Sequence, residues 1–595
     1  MSGSPNLDSF DSGSNYRFGD KMLRPNLKRS RFNWDHLNTL TIDNAGLLVP
    51  IMCEEVLPNS DYFVDVDCLL RVLPQVVPLY SRQRLYIYGF YARYSDLWND
   101  AGVYISKGFS GDVILQKPIL QAKNTGGTLT TSNKVAAGWI YDFFGIPIGT
   151  ETNTASLTTL KINALPFMMY YKIWQAYFMN KNLHINDRAN LPNDPSDLRL
   201  DSTGSVIAWK NAGKEPTGAY SSSNLSLGVP LYRDFPQDYF TSALPFKQRG
   251  TQPVLPVTIN AGNSVSSALR FASTESGPFT NGYFDARSAS VGSAGSSVSV
   301  VSTPGLMNFV TSGGTRLFDI SRATTDSSNY AGVTIDLSTV SGSSSIDLDQ
   351  LRRLSISTLE LEKMARTDGS FEQFGLTFFG QSSRNAVDFR PVFFGSCYQN
   401  ISFSEVLQTS GSDAQSPLGT YAGHGILSLS GRLGSVHTDE HGYIMLIATI
   451  MPDVYYSQGL RKKFTRLVQE EEFLPGREQV GLEPILNKEL YLSGNSATDN
   501  DLFAYQTPFD DYRYKENEIH GKIADPNNLS FFPYTQSRKF NSTPAYTESF
   551  FTTKGNVRKD FLAAPTEVGY TAQFHIKCTA IQPLSYVGVP AGILN

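Results

Sequence analysis

His437-Thr-Asp-Glu-His441 in this 595-residue sequence sets two His four positions apart with two carboxylates between them. On a helix, two His four positions apart share a face and could hold one metal ion, with the carboxylates between them in reserve. Here the pair stands in a turn just before an apolar run. Its two side chains need not face together, so no metal is expected. Glu54-Glu55 and Asp510-Asp511 are neighbours in sequence and need no catalytic account. Seven His in the whole chain leave little general-base capacity. A Gly-rich phosphate loop ending in Lys-Ser or Lys-Thr is missing, as are a G-x-S-x-G elbow and a dinucleotide fingerprint. Cys53, Cys68, Cys397 and Cys578 lack metal-ligand spacing and are too sparse for a disulfide framework. They are expected to be buried thiols in a reducing compartment. The residues therefore point to a scaffold, with no catalytic residue and no cofactor.

One run does carry a chemical signature. Lys21 to Arg31, KMLRPNLKRSR, holds Lys21, Arg24, Lys28, Arg29 and Arg31 and no acidic residue. Such a run is either a solvated arm or a set of phosphate contacts with a nucleic acid. The net charge of −5 says that the surface as a whole is no polyanion binder, so the arm is a local exception. Met1 to Asp20 is rich in Ser, Gly, Asp and Asn, without the apolar centre of a signal peptide. It is expected to be disordered or draped on a neighbour. No window reaches about 18 apolar residues, so no membrane span is expected, and the chain should stay in the cytosol or leave by lysis.

These residues need elements to position them. Tyr443 to Met451 is an apolar run broken only by Thr449, and Pro452-Asp453 stops it. Its length and its Ile444, Ile447, Thr449 and Ile450 suit a strand. Tyr443, Met445, Ile447 and Met451 fall on one face, and Ile444, Leu446, Ala448 and Ile450 on the other. Both faces are apolar, so this is a central strand covered on both sides. Burial of its side chains is worth on the order of 10–20 kcal/mol. Gly46 to Leu57, Tyr62 to Leu73, Leu85 to Tyr94 and Thr571 to Pro583 read as further strands. Gly89 marks a bulge or a close backbone approach, with Tyr86, Tyr88, Phe90, Ala92 and Tyr94 on one face of its strand. Ala164 to Asn180 is the clearest helix, with Asn163 able to cap it and Pro166 in its first turn. Asp347 to Arg366 is a second helix, with Leu351, Leu354, Leu359, Leu361 and Met364 as its apolar positions. Strands without intervening helices point to a sandwich or barrel.

Length alone suggests about four domains. Charged residues, however, are only 18% of the chain, below the roughly 25% of ordinary domains, and 30 Tyr and 37 Phe suit a strand-and-loop protein. Thr251 to Ser345 is an island apart. Of its 95 residues 31 are Gly or Ser, 9 are charged and none is Lys, yet Val, Phe and Ile recur. Short β-like pieces, Leu317 to Ile320 and Gly332 to Leu337, interrupt it. It reads as a large surface insertion rather than a plain linker. The expected organisation is an arm over 1–35, a β core over 36–250 with a helical insertion, the island over 251–345, and the rest of the core with a C-terminal arm over 346–595.

Six segments, in order, resemble one family. They are RSRFNWDHLNTLTIDNAGLLVPIMCEEVLPNSDYFVD (Arg29 to Asp65), LPFMMYYKIWQAYFMNKNL (Leu165 to Leu183), DYFTSALPFKQRG (Asp238 to Gly250), His441 to Leu460 with HGYI and YYSQGL, FAYQTPFDDYRYKENEIHGK (Phe503 to Lys522) and PLSYVGVP (Pro583 to Pro590). Together they are similar to the major capsid proteins of the Microviridae, in particular the gokushovirus-like group. Ala101 to Glu151, Leu191 to Leu227 and the Gly/Ser island depart from the pattern. The resemblance implies a mainly β, eight-stranded antiparallel jelly roll of the viral capsid type, with long loop insertions and a few helices. It implies a homo-oligomer, a T=1 icosahedral shell built from pentamers, around circular single-stranded DNA. A small basic DNA-binding virion protein, a minor pilot protein and a host cell-surface receptor would be the other partners. The place would be the virion, and the host cytoplasm during assembly. In gokushoviruses the insertion after the DYFTS segment is associated with a protrusion at the threefold axes; here that would be Thr251 to Ser345, exposed for host attachment.

Two other classes fit parts of the composition. A β-sandwich carbohydrate-active enzyme would suit the Tyr, Trp and low charge, but no carboxylate pair stands in an aromatic setting. A receptor-binding phage fibre would call for β repeats, and the sequence has no internal period.

Overall fold

The computed structural model describes residues 29–98, 100–108, 116–120, 137–148, 162–180, 182, 230–251, 253, 309–312, 315–318, 348–367, 371–381, 390–407, 409, 418–419, 421–479 and 481–586. The strands, in order, are β1 (Ser30–Asn33), β2 (His36–Ile42), β3 (Val49–Val56), β4 (Ser60–Gln75), β5 (Gln83–Arg93), β6 (Ile119–Leu120), β7 (Ile162–Asn163), β8 (Phe309–Ser312), β9 (Thr315–Phe318), β10 (Val392–Asn400), β11 (Ser402–Leu407), β12 (Tyr421–Thr438), β13 (Gly442–Pro452), β14 (Glu483–Leu486), β15 (Leu502–Gln506) and β16 (Tyr570–Gln582). The first six α-helices among the described residues are α1 (Tyr94–Leu97), α2 (Ala101–Ser106), α3 (Ile140–Phe143), α4 (Leu165–Ile173), α5 (Leu348–Ala365) and α6 (Phe371–Phe379).

Two antiparallel sheets form the core. One runs β1-β16-β4-β12-β11, with β2 also pairing β16; the other runs β10-β5-β13-β3. β1 and β2 take successive stretches of β16, Thr579 to Gln582 and Tyr570 to Ile576, so they make one interrupted edge row. The chain crosses between sheets at buried Ile401, whose N–H donates to the Gln83 carbonyl at 2.8 Å. The period of two sorts the long strands. β4 turns Tyr62, Val64, Val66, Cys68, Leu70 and Val72 inward, against Ile444, Leu446, Ala448 and Ile450 of β13. Its Asp61, Phe63, Asp65, Asp67, Leu69 and Arg71 point away from that core.

β13 is buried along its whole length, as its doubly apolar sequence demands. Tyr443, Met445 and Ile447 enter a second core together with Phe90, Ala92, Trp98, Leu165, Met169 and Tyr170. The expectation of a central strand covered on both faces is met, with one adjustment: Met451 packs with Ile450 in the intersheet core. On β5, likewise, Tyr88, Phe90 and Ala92 belong to the helical side, as does Tyr94 just beyond it, whereas Tyr86 leans on the intersheet core. Gly89 allows a close approach. A Cβ there would stand 2.5 Å from the Phe394 ring, and the register shift opposite it lies in the partner strand, between Phe393 and Gly395.

The helical side is locked by polar groups. Helix α4 starts where the sequence placed it: Asn163 Oδ1 accepts from the Leu165 N–H at 3.1 Å, and its Nδ2 donates to the Tyr443 hydroxyl at 2.6 Å. The last turn, Trp174–Phe178, widens to a π-helix. Lys172 is fully buried, and its Nζ donates to the Asp96 carbonyl at 2.5 Å. The Asp96 carboxylate is buried beside it and accepts from the Arg93 N–H at 3.0 Å. Burial raises the Asp96 carboxyl above the usual carboxylate range, against the pull of the Arg93 N–H, the Arg93 charge and Lys172.

Residues 453–569 carry mostly short elements. There, buried Arg538 donates to the Phe550 carbonyl at 2.6 Å, and its guanidinium lies 4.2 Å from the Phe550 ring and 4.8 Å from that of Phe235. The chain divides into two compact units, 1–250 with 361–595, and 251–360. In the second unit the described residues hold the β8–β9 hairpin and most of α5. The hairpin takes in Leu317 and Phe318, whereas Gly332 to Leu337 lies outside the described residues. Helix α5 follows the predicted bounds closely; α6 was not anticipated.

Candidate nucleic-acid interface

The basic arm enters the fold at its edge. Lys21, Arg24 and Lys28 lie outside the described residues, and Arg29 and Arg31 stand at the start of the edge row. Arg29 is already engaged: its guanidinium meets Asp61 Oδ2 at 2.5 Å, and Asp61 Oδ1 is 2.7 Å from His437 Nδ1. Burial opposes the Asp61 charge, but the hydrogen bonds from His437 and Arg29 outweigh it and hold the carboxyl below the usual range. Arg31 makes a long bond, 3.4 Å, to the Thr579 hydroxyl.

Both arginines join the outer face of the six-stranded sheet. Its cross-strand rows set Asp65 between Arg432 and Lys577, and Asp67 between Ser430 and His575. Asp67 accepts from Lys577 Nζ at 2.5 Å and from the Ser430 hydroxyl at 2.7 Å, and both bonds lower its carboxyl. Arg71 adds a further exposed cation. The face thus carries Arg29, Arg31, Arg71, Arg432 and Lys577 against Asp61, Asp65 and Asp67, with Asp35 beside Lys577. Its charges are nearly balanced, so this face by itself has little attraction for a polyanion. Arg71, Arg432 and Lys577 escaped notice in the sequence because they come from three strands far apart in the chain. Alternation within each strand was the only available signal.

The other polar groups singled out are structural. His437 and His441 part company: one goes to Asp61, the other stacks on Tyr94 with ring centroids 6.2 Å apart. Glu55 Oε1 accepts from Lys117 Nζ at 2.7 Å and from Tyr443 at 2.9 Å. Asp511 takes both guanidinium nitrogens of Arg466, at 2.9 and 2.6 Å. The four Cys form no disulfide; Cys68 and Cys578 are buried, Cys53 and Cys397 half-buried. Among the described residues no helix is long and apolar enough to cross a membrane.

The model of the capsid protein (F protein) family matches residues 22–592. The chain belongs to that family. Among relatives, the capsid protein VP1 of Bdellovibrio phage phiMH2K is 27% identical over 580 residues, 95% of each chain. That of Chlamydia phage 1 is 24% identical over 605 residues, 95% of this chain and 96% of the relative. That of Spiroplasma virus 4 is 25% identical over 528 residues, 85% of both. The resemblance to Microviridae capsid proteins read from six segments is borne out. As a member of the F protein family the chain is a structural protein of the virion that assembles with its own copies.

Proposed function

We propose that the chain is the major capsid protein of a T=1 icosahedral shell enclosing circular single-stranded DNA. The family match along nearly the whole chain carries this reading. The strand order supports the jelly roll. Let β1 and β2 count as one strand and β11 as an added edge. The eight strands then wrap as first-eighth-third-sixth in one sheet and second-seventh-fourth-fifth in the other. That is the order of two interlocked Greek keys. The long connection from β5 to β10, residues 94–391, contains the island, as the reading of an exposed insertion requires. The arm Lys21 to Arg31 contacts the packaged genome through phosphates, and 251–345 serves host attachment. Pentamers are the assembly unit. A small basic DNA-binding protein, a minor pilot protein and a host receptor complete the partners, and assembly takes place in the host cytoplasm.

The test is isolation of particles from infected cells followed by nuclease. The reading predicts megadalton particles whose nucleic acid survives nuclease outside the shell, is circular and single-stranded, and is freed by denaturing the protein. Double-stranded DNA, RNA or no protected nucleic acid would overturn it.

A further inference from the structure

The segment 461–479 spends its polar groups on fixing itself and leaves its apolar ones in solvent. Phe464, Leu467, Val468, Phe473 and Leu474 are all exposed, Leu467 at 87%. The backbone that presents them is nonetheless bonded at several points. Glu471 Oε2 accepts from the Leu467 N–H at 2.7 Å, and Arg477 donates to the carbonyls of Gln469 and, at 2.9 Å, Glu472. The root is fastened by ion pairs: Lys462 to Glu483 at 2.8 Å and Glu489 at 3.2 Å, Arg466 to Asp511, Arg461 to Glu518. Phe473 packs edge-on to Phe509, centroids 5.3 Å apart. A strap held this way has already lost the conformational freedom that binding would cost it, and exposed apolar clusters mark contact surfaces.

We propose that this strap is an intersubunit clasp that docks on a second copy of the chain, against the turn over residues 522–539. The inference rests on the shell-assembly reading above. Two observations choose the occupant. The turn offers exposed Leu529 and Phe531, with Lys522 Nζ 5.9 Å from the Phe531 ring and exposed Lys539 beyond. The strap offers apolar Leu467 and Val468 next to exposed Glu470 and Glu472. Apolar meets apolar, and carboxylates meet ammonium groups. The two patches differ, so the contact is head-to-tail, the kind that closes into rings.

The full-length chain is made with a benzophenone amino acid at Leu467 and irradiated after assembly. The expected result is a covalent dimer whose joined peptide maps to 522–539 of another copy. A crosslink only within one chain, to another protein, or to a different part of a second copy overturns the proposal. In parallel, Leu467→Asp should leave the unassembled subunit's unfolding unchanged, because the side chain is exposed, and should lower particle yield about tenfold or more. Unchanged yield overturns the clasp. Absence of particles from the unsubstituted chain under the same conditions would instead count against the assembly reading itself.

Discussion

Asp96 shows how a single group can make the subunit sensitive to pH. Burial raises its carboxyl, so the folded state binds the proton more tightly than the unfolded chain, where an aspartate titrates near about 3.9. Its contribution to stability is therefore fully present below that value and is lost as pH rises through the higher folded value. Asp96→Asn removes the titration. We expect the variant's loss of stability relative to the parent to depend on pH between about 4 and 7, which urea unfolding of the unassembled subunit at several pH values would measure. A difference constant with pH would remove Asp96 as its source. Glu516, pushed up to about 7 by burial and by Asp238, acts with the same sign, so a residual slope is expected in the variant. Neither group was legible in the sequence. Asp96 is one carboxylate among many until the chain folds it beneath α4 beside Lys172, a lysine that the aromatic periodicity gave no reason to bury.

At the level of elements, the sequence was most informative where one side chain after another had to be apolar. β13 declared itself, because nine residues with two apolar faces have few other uses, and the alternation in β4 and β16 follows the same logic. Ile447→Asp places a carboxylate among Met445, Phe90 and Leu165. An ionised carboxylate there is strongly disfavoured, so the protein should be insoluble and give no particles, as assayed by fractionation of expressing cells. Normal particle yield would sink the central-strand assignment. β10, β11 and much of β12 were not read. Their residues are half-exposed or small, and a strand whose partners supply the core carries little pattern of its own. The basic arm is the element where sequence and structure meet only at the end. Replacing Arg24, Lys28, Arg29 and Arg31 with Gln should lower packaged DNA while subunit folding is retained. His437 still partners Asp61 when Arg29 is lost. Particles with an unchanged ratio of DNA to protein would make the arm structural.

At the scale of the whole molecule, two antiparallel sheets are interrupted by long excursions. The island separates from the rest as its own compact unit, though its second boundary falls at Glu360 rather than at Ser345. Composition could mark the Gly- and Ser-rich stretch, but α5 straddles the division and looks like any amphipathic helix. Replacing Gly262 to Gly342 with a short Gly-Ser bridge should leave the core intact, since loop-closure entropy changes slowly with length. Particles are expected to assemble, hold DNA and fail to adsorb to the host, as read by a binding assay on intact cells. Normal infection would take host attachment away from the island, and failure to assemble would assign it to the shell. The expectations about particles depend on one claim, that copies of this chain close a small icosahedral shell. Electron cryomicroscopy of purified particles tests it directly. The account predicts a closed T=1 shell of about sixty copies, each with the β1–β16 sandwich in its wall and density for the strap on a neighbouring copy. Shells of another triangulation, open fibres or a monodisperse small oligomer would contradict it.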